Sequence, residues 1–192
     1  MRIIAGKFKG RQLAPLGGAE LRPTLDRVRE SVFNILTGRT PGARVLDLFA
    51  GTGAVGLEAL SRGAERVVFA EPAREAQSLI RKNMEKCGVD AASATLLSCT
   101  AQKALGTLAR QAAAFDLVYV DPPFDAGLYE PTLKALAESP VVHSGSWVLA
   151  EHFHKAVLED SYGRLIRFDL RRMGDTSLSF YGLEEDINPT ET

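Results

Sequence analysis

The chain has 192 residues, a formal net charge of −1, 45% apolar and 24% charged residues. That balance suits one large domain with a small appendage. It excludes a polycation and, with Cys87 and Cys99 as the two cysteines, a disulfide scaffold. No apolar run approaches the ~20 residues of a membrane span, and residues 1–11 lack the apolar core of a signal peptide. A cytoplasmic protein with reduced thiols and no membrane partner is therefore expected.

Residues 1–40 carry eight basic side chains against three acidic ones, which fits a local contact with a polyanion, although a solvated charged face would look the same. The β-like runs Arg2–Ala5 and Arg11–Leu13 flank Gly6-Lys7-Phe8-Lys9-Gly10. They predict a small hairpin with a basic tip bearing Phe8, and rings with cations are what nucleic acid calls for. An amphipathic helix is predicted from about Leu25 to Leu36, with Leu25, Val28, Val32, Ile35 and Leu36 on its apolar face and Thr24 as N-cap. Strands then alternate with helices. The predicted strands are Arg44–Phe49, Arg66–Ala70, Ala94–Ser98, Phe115–Val120 and Ser146–Glu151. The helices run over Ala54–Ser61, Ala73–Lys86, Ala101–Arg110 and Tyr129–Glu138. Such alternation implies an α/β fold with a mostly parallel sheet. Leu165–Arg172 and Thr176–Tyr181 alternate apolar and polar residues around a turn, predicting a closing antiparallel hairpin and seven strands in all. The organisation expected is an N-terminal extension over residues 1–40, a main domain over 41–183 and an acidic, disordered tail over 184–192.

Two turns carry the chemistry. Asp121-Pro122-Pro123-Phe124 follows the apolar run Phe115–Val120. Two prolines end the ladder and stiffen the turn at the carboxyl end of a strand, where open α/β sheets bind ligands. A carboxylate, proline carbonyls and a flat ring suit a planar group with an exocyclic amine; a plain strand-ending turn with an Asp N-cap is the structural alternative. After the first strand comes Asp47-Leu48-Phe49-Ala50-Gly51-Thr52-Gly53-Ala54-Val55-Gly56, with Gly51, Gly53 and Gly56 in the dinucleotide spacing and Glu71 about twenty residues on. Spacing alone would admit an NAD oxidoreductase. Asp47 beside the loop repels a pyrophosphate but suits an ammonium, and the Asp-Pro-Pro-Phe turn has no role in hydride transfer. Both features favour S-adenosylmethionine. His143, His152 and His154 have no metal spacing, and no metal is expected. Cys99 lacks a basic partner for nucleophilic work.

Asp47–Gly53, Glu71 and Asp121–Phe124, in this order and spacing, resemble class I amino-methyltransferases. The blocks Gly6–Arg11, Leu21–Leu36 and Leu57–Gly63 closely resemble the bacterial RsmD family. The resemblance implies a Rossmann-like class I methyltransferase fold that uses S-adenosyl-L-methionine and methylates N2 of a guanine in 16S rRNA of the small ribosomal subunit. It assigns Asp121, Pro122, Pro123 and Phe124 to catalysis. Arg22, Pro23, Thr24, Asp47, Phe49, Ala50, Gly51, Thr52, Gly53, Glu71, Pro72, Thr100, Ala101 and Asp121 fall to the cofactor. Lys7, Phe8, Lys9, Arg11, Arg27 and Arg29 are candidates for RNA contacts. Thr100 departs from the family pattern, which usually has Asp or Asn there for the adenine amine. An adenine-N6 DNA methyltransferase and a non-catalytic RNA-binding module remain as alternatives.

Overall fold

The structure, a computed structural model, describes residues 1–15, 17 and 23–187, with the backbone alone for Pro23, Thr24, Leu25 and Asp125. The chain forms two compact units, Met1–Thr100 and Ala101–Thr192.

In the first unit, α1 (Pro23–Ile35) opens with proline at its first position, where the missing N–H costs nothing and φ is already helical. The helix therefore starts ahead of the expected Leu25, and Thr24 lies in its first turn rather than at the N-cap. Val28, Val32 and Phe33 form its buried stripe. Beyond it come β1 (Arg44–Leu48), α2 (Ala54–Ser61), β2 (Arg66–Ala70), α3 (Arg74–Cys87) and β3 (Ala94–Leu97). β1 pairs with β2 and β2 with β3, both parallel. Their apolar runs, such as Val67-Val68-Phe69-Ala70, are buried throughout, as strands covered on both faces require. α3 stops at Gly88, which takes the left-handed conformation with φ 63°. Residues 1–15 form an arch: Arg2 bridges Gln12 antiparallel, with Ile3 N–H bonded to the Arg11 carbonyl and Gly10 N–H to that of Ile3.

The second unit contains α4 (Ala101–Arg110), β4 (Phe115–Val120), α5 (Tyr129–Glu138), β5 (Val142–Phe153), β6 (Ser161–Tyr162), β7 (Leu165–Met173), β8 (Thr176–Leu183) and α6 (Glu184–Ile187). β4 and β5 run parallel; β5–β8, β8–β7 and β7–β6 are antiparallel. The closing hairpin is thus present, and the two units together hold eight strands among the described residues rather than seven. The additional strand, β6, is two residues long and leaves no periodic trace. β5 is twice its expected length. The pairing shifts between Phe115 and Leu117, and Ser146 spans the irregularity, donating to the Phe115 carbonyl at 2.7 Å and accepting from His143 N–H at 2.9 Å. The acidic tail begins as an ordered turn. Asp186 accepts from the Ser144 hydroxyl and from Gly145 N–H, which corrects the expectation of disorder from residue 184; residues 188–192 lie outside the described ones.

Candidate active site

The loop after β1 is shaped by two carboxylates. Asp47, on β1, is 2% exposed and accepts the Gly56 N–H at 3.0 Å. Burial pushes its carboxyl up to about 7 from 3.8, with the Glu71 charge adding to the rise and the Gly56 N–H opposing it. Among the described residues no cation pairs with it. Glu71, just past β2, accepts from Gly51 N–H at 2.9 Å and from Ala73 N–H at 2.8 Å. Between them Phe49 holds φ 65°, a left-handed backbone on a non-glycine residue, and strain of this kind clusters at ligand loops. A Cβ on Gly51 would meet nothing within 4 Å, whereas one on Gly56 would come 2.3 Å from the Phe69 ring. The first glycine leaves the loop backbone open to a ligand; the third lets α2 lie close on β2. A buried acid without a cation, an open glycine backbone and an acid at the end of β2 together fit a ligand that carries an ammonium and a ribose.

Sequence reasoning missed the residues that brace this loop. Asn83 is fully buried on α3, accepts from Ala14 N–H at 2.8 Å and donates to the Thr52 carbonyl at 3.0 Å. Gln77 donates to the Glu71 and Pro72 carbonyls at 2.9 and 3.2 Å. Their signal is polar side chains on the buried stripe of α3, beside Ala76 and Ile80. Glu58, fully buried on α2, accepts Ile4 and Ala5 N–H at 2.8 and 3.0 Å and Arg62 Nε at 2.8 Å. Ser61 adds bonds to Phe8 N–H and the Ala5 carbonyl. The arch is thereby clamped to α2. Gly6 makes this docking possible: at φ 79°, a Cβ there would sit 1.8 Å from the Ser61 carbonyl oxygen.

The basic candidates separate. Lys7, Lys9, Arg11 and Arg27 are exposed. Lys9 and Arg27, with Arg2, Asp26 and Glu30, line a groove of about 550 Å³. Two expectations are corrected. Phe8 is 6% exposed, so its ring packs inside the arch under Lys7 and Arg11 instead of standing at the tip to stack on a base. Arg29 is 5% exposed, bonds the Arg2 carbonyl and Asp26, and lies 3.6 Å from Glu58; its charge is used within the fold. Arg22 falls outside the described residues. Pro23 and Thr24 open α1, Thr100 precedes α4 and is exposed, and Ala101 is the first residue of α4 and buried.

In the second unit, Asp121-Pro122-Pro123-Phe124 leaves β4 with Pro122 buried and Asp121, Pro123 and Phe124 exposed. Pro122 anchors the turn; Phe124 is 59% exposed and meets Phe153 edge-on at 6.2 Å. The hydroxyl of Tyr119 bonds the Glu151 carboxylate, and that of Tyr129 donates to the Glu151 carbonyl at 2.8 Å. His152 is buried between the Ser179 hydroxyl at 3.0 Å and the Phe153 carbonyl at 3.1 Å, and burial lowers its pKa. Phe180 and Tyr181 are fully buried core residues.

Parallel strands alternating with helices, a glycine loop after β1, an acid after β2 and an Asp-Pro-Pro-Phe turn after β4 define a Rossmann-like class I methyltransferase fold. Residues 1–182 match the family model described as conserved hypothetical protein 95. The "Putative rRNA methyltransferase YlbH" of Bacillus subtilis is 32% identical over 94% of this chain and 98% of its own. Ribosomal RNA small subunit methyltransferase D of Escherichia coli K12 is 40% identical over 72% of this chain and 68% of its own. Among solved structures, "Putative methyltransferase yhhF from Escherichia coli" superposes with a TM-score of 0.79 at 33% identity, covering 96% of this chain and 98% of that one. The chain belongs to the RsmD family.

Proposed function

We propose that this protein is an S-adenosylmethionine-dependent rRNA methyltransferase that transfers a methyl group to the exocyclic N2 amine of a guanine in 16S rRNA, within the small ribosomal subunit. The Asp121–Phe124 turn carries this reading, supported by the names of the relatives and by family membership. Asp121 is an exposed acid beside a buried proline whose carbonyl faces no N–H of its own chain neighbour, and Phe124 offers an exposed ring to a base.

S-adenosylmethionine, when bound, supplies an electrophilic methyl on a positively charged sulfur. Asp47 would hold its ammonium, Glu71 would accept from the ribose hydroxyls, and the Gly51–Gly53 loop with the helix N-terminus after it would receive the methionine portion. Thr100 and the Ala101 N–H would meet the adenine. Asp121 and the Pro122 carbonyl accept the two hydrogens of the target amine, whose lone pair is otherwise spread into the ring, and aim that lone pair for attack. Transfer forms the N–C bond and breaks the S–C bond, leaving S-adenosylhomocysteine and a cationic nitrogen whose proton Asp121 would take. Little charge needs stabilising, so orientation does most of the work; well-held reactants can gain roughly 7–11 kcal/mol. The base leaves its stack at a cost of a few kcal/mol, offset by stacking on Phe124. Lys7, Lys9, Arg11 and Arg27 meet RNA phosphates.

The test is incubation with methyl-labelled S-adenosylmethionine and, separately, naked 16S rRNA, small ribosomal subunits and duplex DNA, followed by digestion to nucleosides. Label in N2-methylguanosine from RNA is expected, and the comparison of naked with assembled RNA identifies the form recognised. Label in N6-methyladenine from DNA would overturn the substrate while keeping the reaction.

A further inference from the structure

Asp121 and the Pro122 carbonyl can grip an exocyclic amine, but adenine, cytosine and guanine all carry one. A second carboxylate stands beside them. β4 and β5 are in parallel register with Val120 opposite Ala150, so Asp121 and Glu151 are the next residues on adjacent strands, whose axes lie about 4.8 Å apart. Glu151 is half-buried and held from two sides. The hydroxyl of Tyr119, itself 4% exposed, bonds its carboxylate, and that of Tyr129 donates to its carbonyl at 2.8 Å. Tyr129 is raised well above the usual phenol range, by burial first and then by the charges of Asp121 and Glu151, which puts both carboxylates near one ring. The role already given to the turn leaves this second acid without a task.

We infer that Glu151 is a specificity-determining residue that accepts the N1–H of the target base, so that the pair Asp121 and Glu151 selects guanine among amine-bearing bases. The inference rests on the guanine-N2 reading above. Guanine alone presents two adjacent donors on its pairing edge, N1–H and the N2 amine. Adenine carries a lone pair at N1 and cytosine one at N3, and either would face a carboxylate with acceptor against acceptor. A site built to receive a donor rejects a base lacking it far more strongly than shape alone allows, because the protein group is left unpaired. Tyr119 matters because a carboxylate fixed by a buried hydroxyl cannot swing away from the wrong base.

The experiment replaces the methylated guanine, located by the nucleoside assay, with 2-aminopurine in small subunits reconstituted around the altered 16S rRNA. 2-Aminopurine keeps the N2 amine and has a lone pair at N1. Wild-type protein should favour guanine by at least about tenfold in kcat/KM, the discrimination expected of one well-placed polar contact. Glu151→Gln, whose amide can donate to that lone pair, should narrow the preference to within about threefold, with S-adenosylhomocysteine affinity unchanged. A wild-type preference near one, or a preference that Glu151→Gln leaves as it was, overturns the inference while the methylated guanine still stands. Absence of methyl on any guanine N2 overturns the functional reading and this inference with it. The wild-type comparison needs no variant, so it decides even where Glu151→Gln folds poorly.

Discussion

The Gly51 N–H donates to Glu71 Oε2 at 2.9 Å, and the other Glu71 oxygen takes the Ala73 N–H at 2.8 Å. One side chain therefore ties the glycine loop after β1 to the start of α3, and in the proposed site it would also accept from a ribose. Glu71→Ala removes charge-assisted bonds worth about 1.5–3 kcal/mol each, so cofactor affinity should fall by about 10-fold or more. Glu71→Gln should also weaken binding, because its amide NH2 confronts one of the two N–H donors. Calorimetric titration with S-adenosylhomocysteine measures both. Unchanged affinity in Glu71→Ala would remove this residue from the cofactor site.

Asp121 has the opposite expected profile. It belongs to the turn of the second unit and is exposed, so Asp121→Ala should leave melting temperature and cofactor affinity near wild type. Turnover should drop by ~100-fold or more, the cost of losing the group that orients the amine. Single-turnover rates with saturating RNA isolate the chemical step. A variant that turns over normally would sink the role given to this carboxylate.

Both predictions start from short motifs, Glu71 twenty positions after Gly51 and the Asp121–Phe124 turn, whose spacing is visible without any knowledge of the fold. The same holds for α2, β2, α4, β4 and α5, whose ends coincide with the expected ones. Bracing residues were not legible, since their partners are remote. Ile4 meets Glu58 across 54 positions and Ala14 meets Asn83 across 69. Phe8 reads as an exposed RNA contact because a short basic hairpin looks free until its docking on α2 is known, and Arg29 because its partners, the Arg2 carbonyl and Glu58, are remote in sequence. β6 has two residues, too few for alternation to show, and β5 runs through Ser144-Gly145, which reads as a turn.

Glu58 carries the largest expected stability effect. It is fully buried, accepts two arch N–H groups and Arg62, and lies 3.6 Å from the buried Arg29. Glu58→Ala strands these donors and a buried cation, at a cost of about 3 kcal/mol. For a chain of this size the melting temperature should fall by about 6–12 °C. Gly6→Ala should release the arch by another route, since its Cβ would overlap the Ser61 carbonyl; hydrogen exchange at Ile4 and Ala5 should then rise. Protection there equal to wild type would show that the arch is held by other contacts.

Asp47 links pH to both stability and binding. Burial is the main cause that lifts its carboxyl from 3.8 to about 7 in the folded protein. Between those values the folded state keeps a proton that the unfolded chain has lost. The unfolded state then binds fewer protons, so stability falls as pH rises through this window and levels off above it. Asp47→Asn should flatten the decline, seen as a denaturation midpoint that changes little across about pH 5 to 8. Binding should run the other way. An ammonium beside Asp47 favours its ionised form, so cofactor affinity should rise with pH through about 7 and binding should release a proton. Calorimetry in buffers of different ionisation enthalpy measures that proton directly. Asp47→Asn should bind more weakly, with neither the pH dependence nor the release, and a wild-type protein that released no proton would remove the ammonium contact from Asp47.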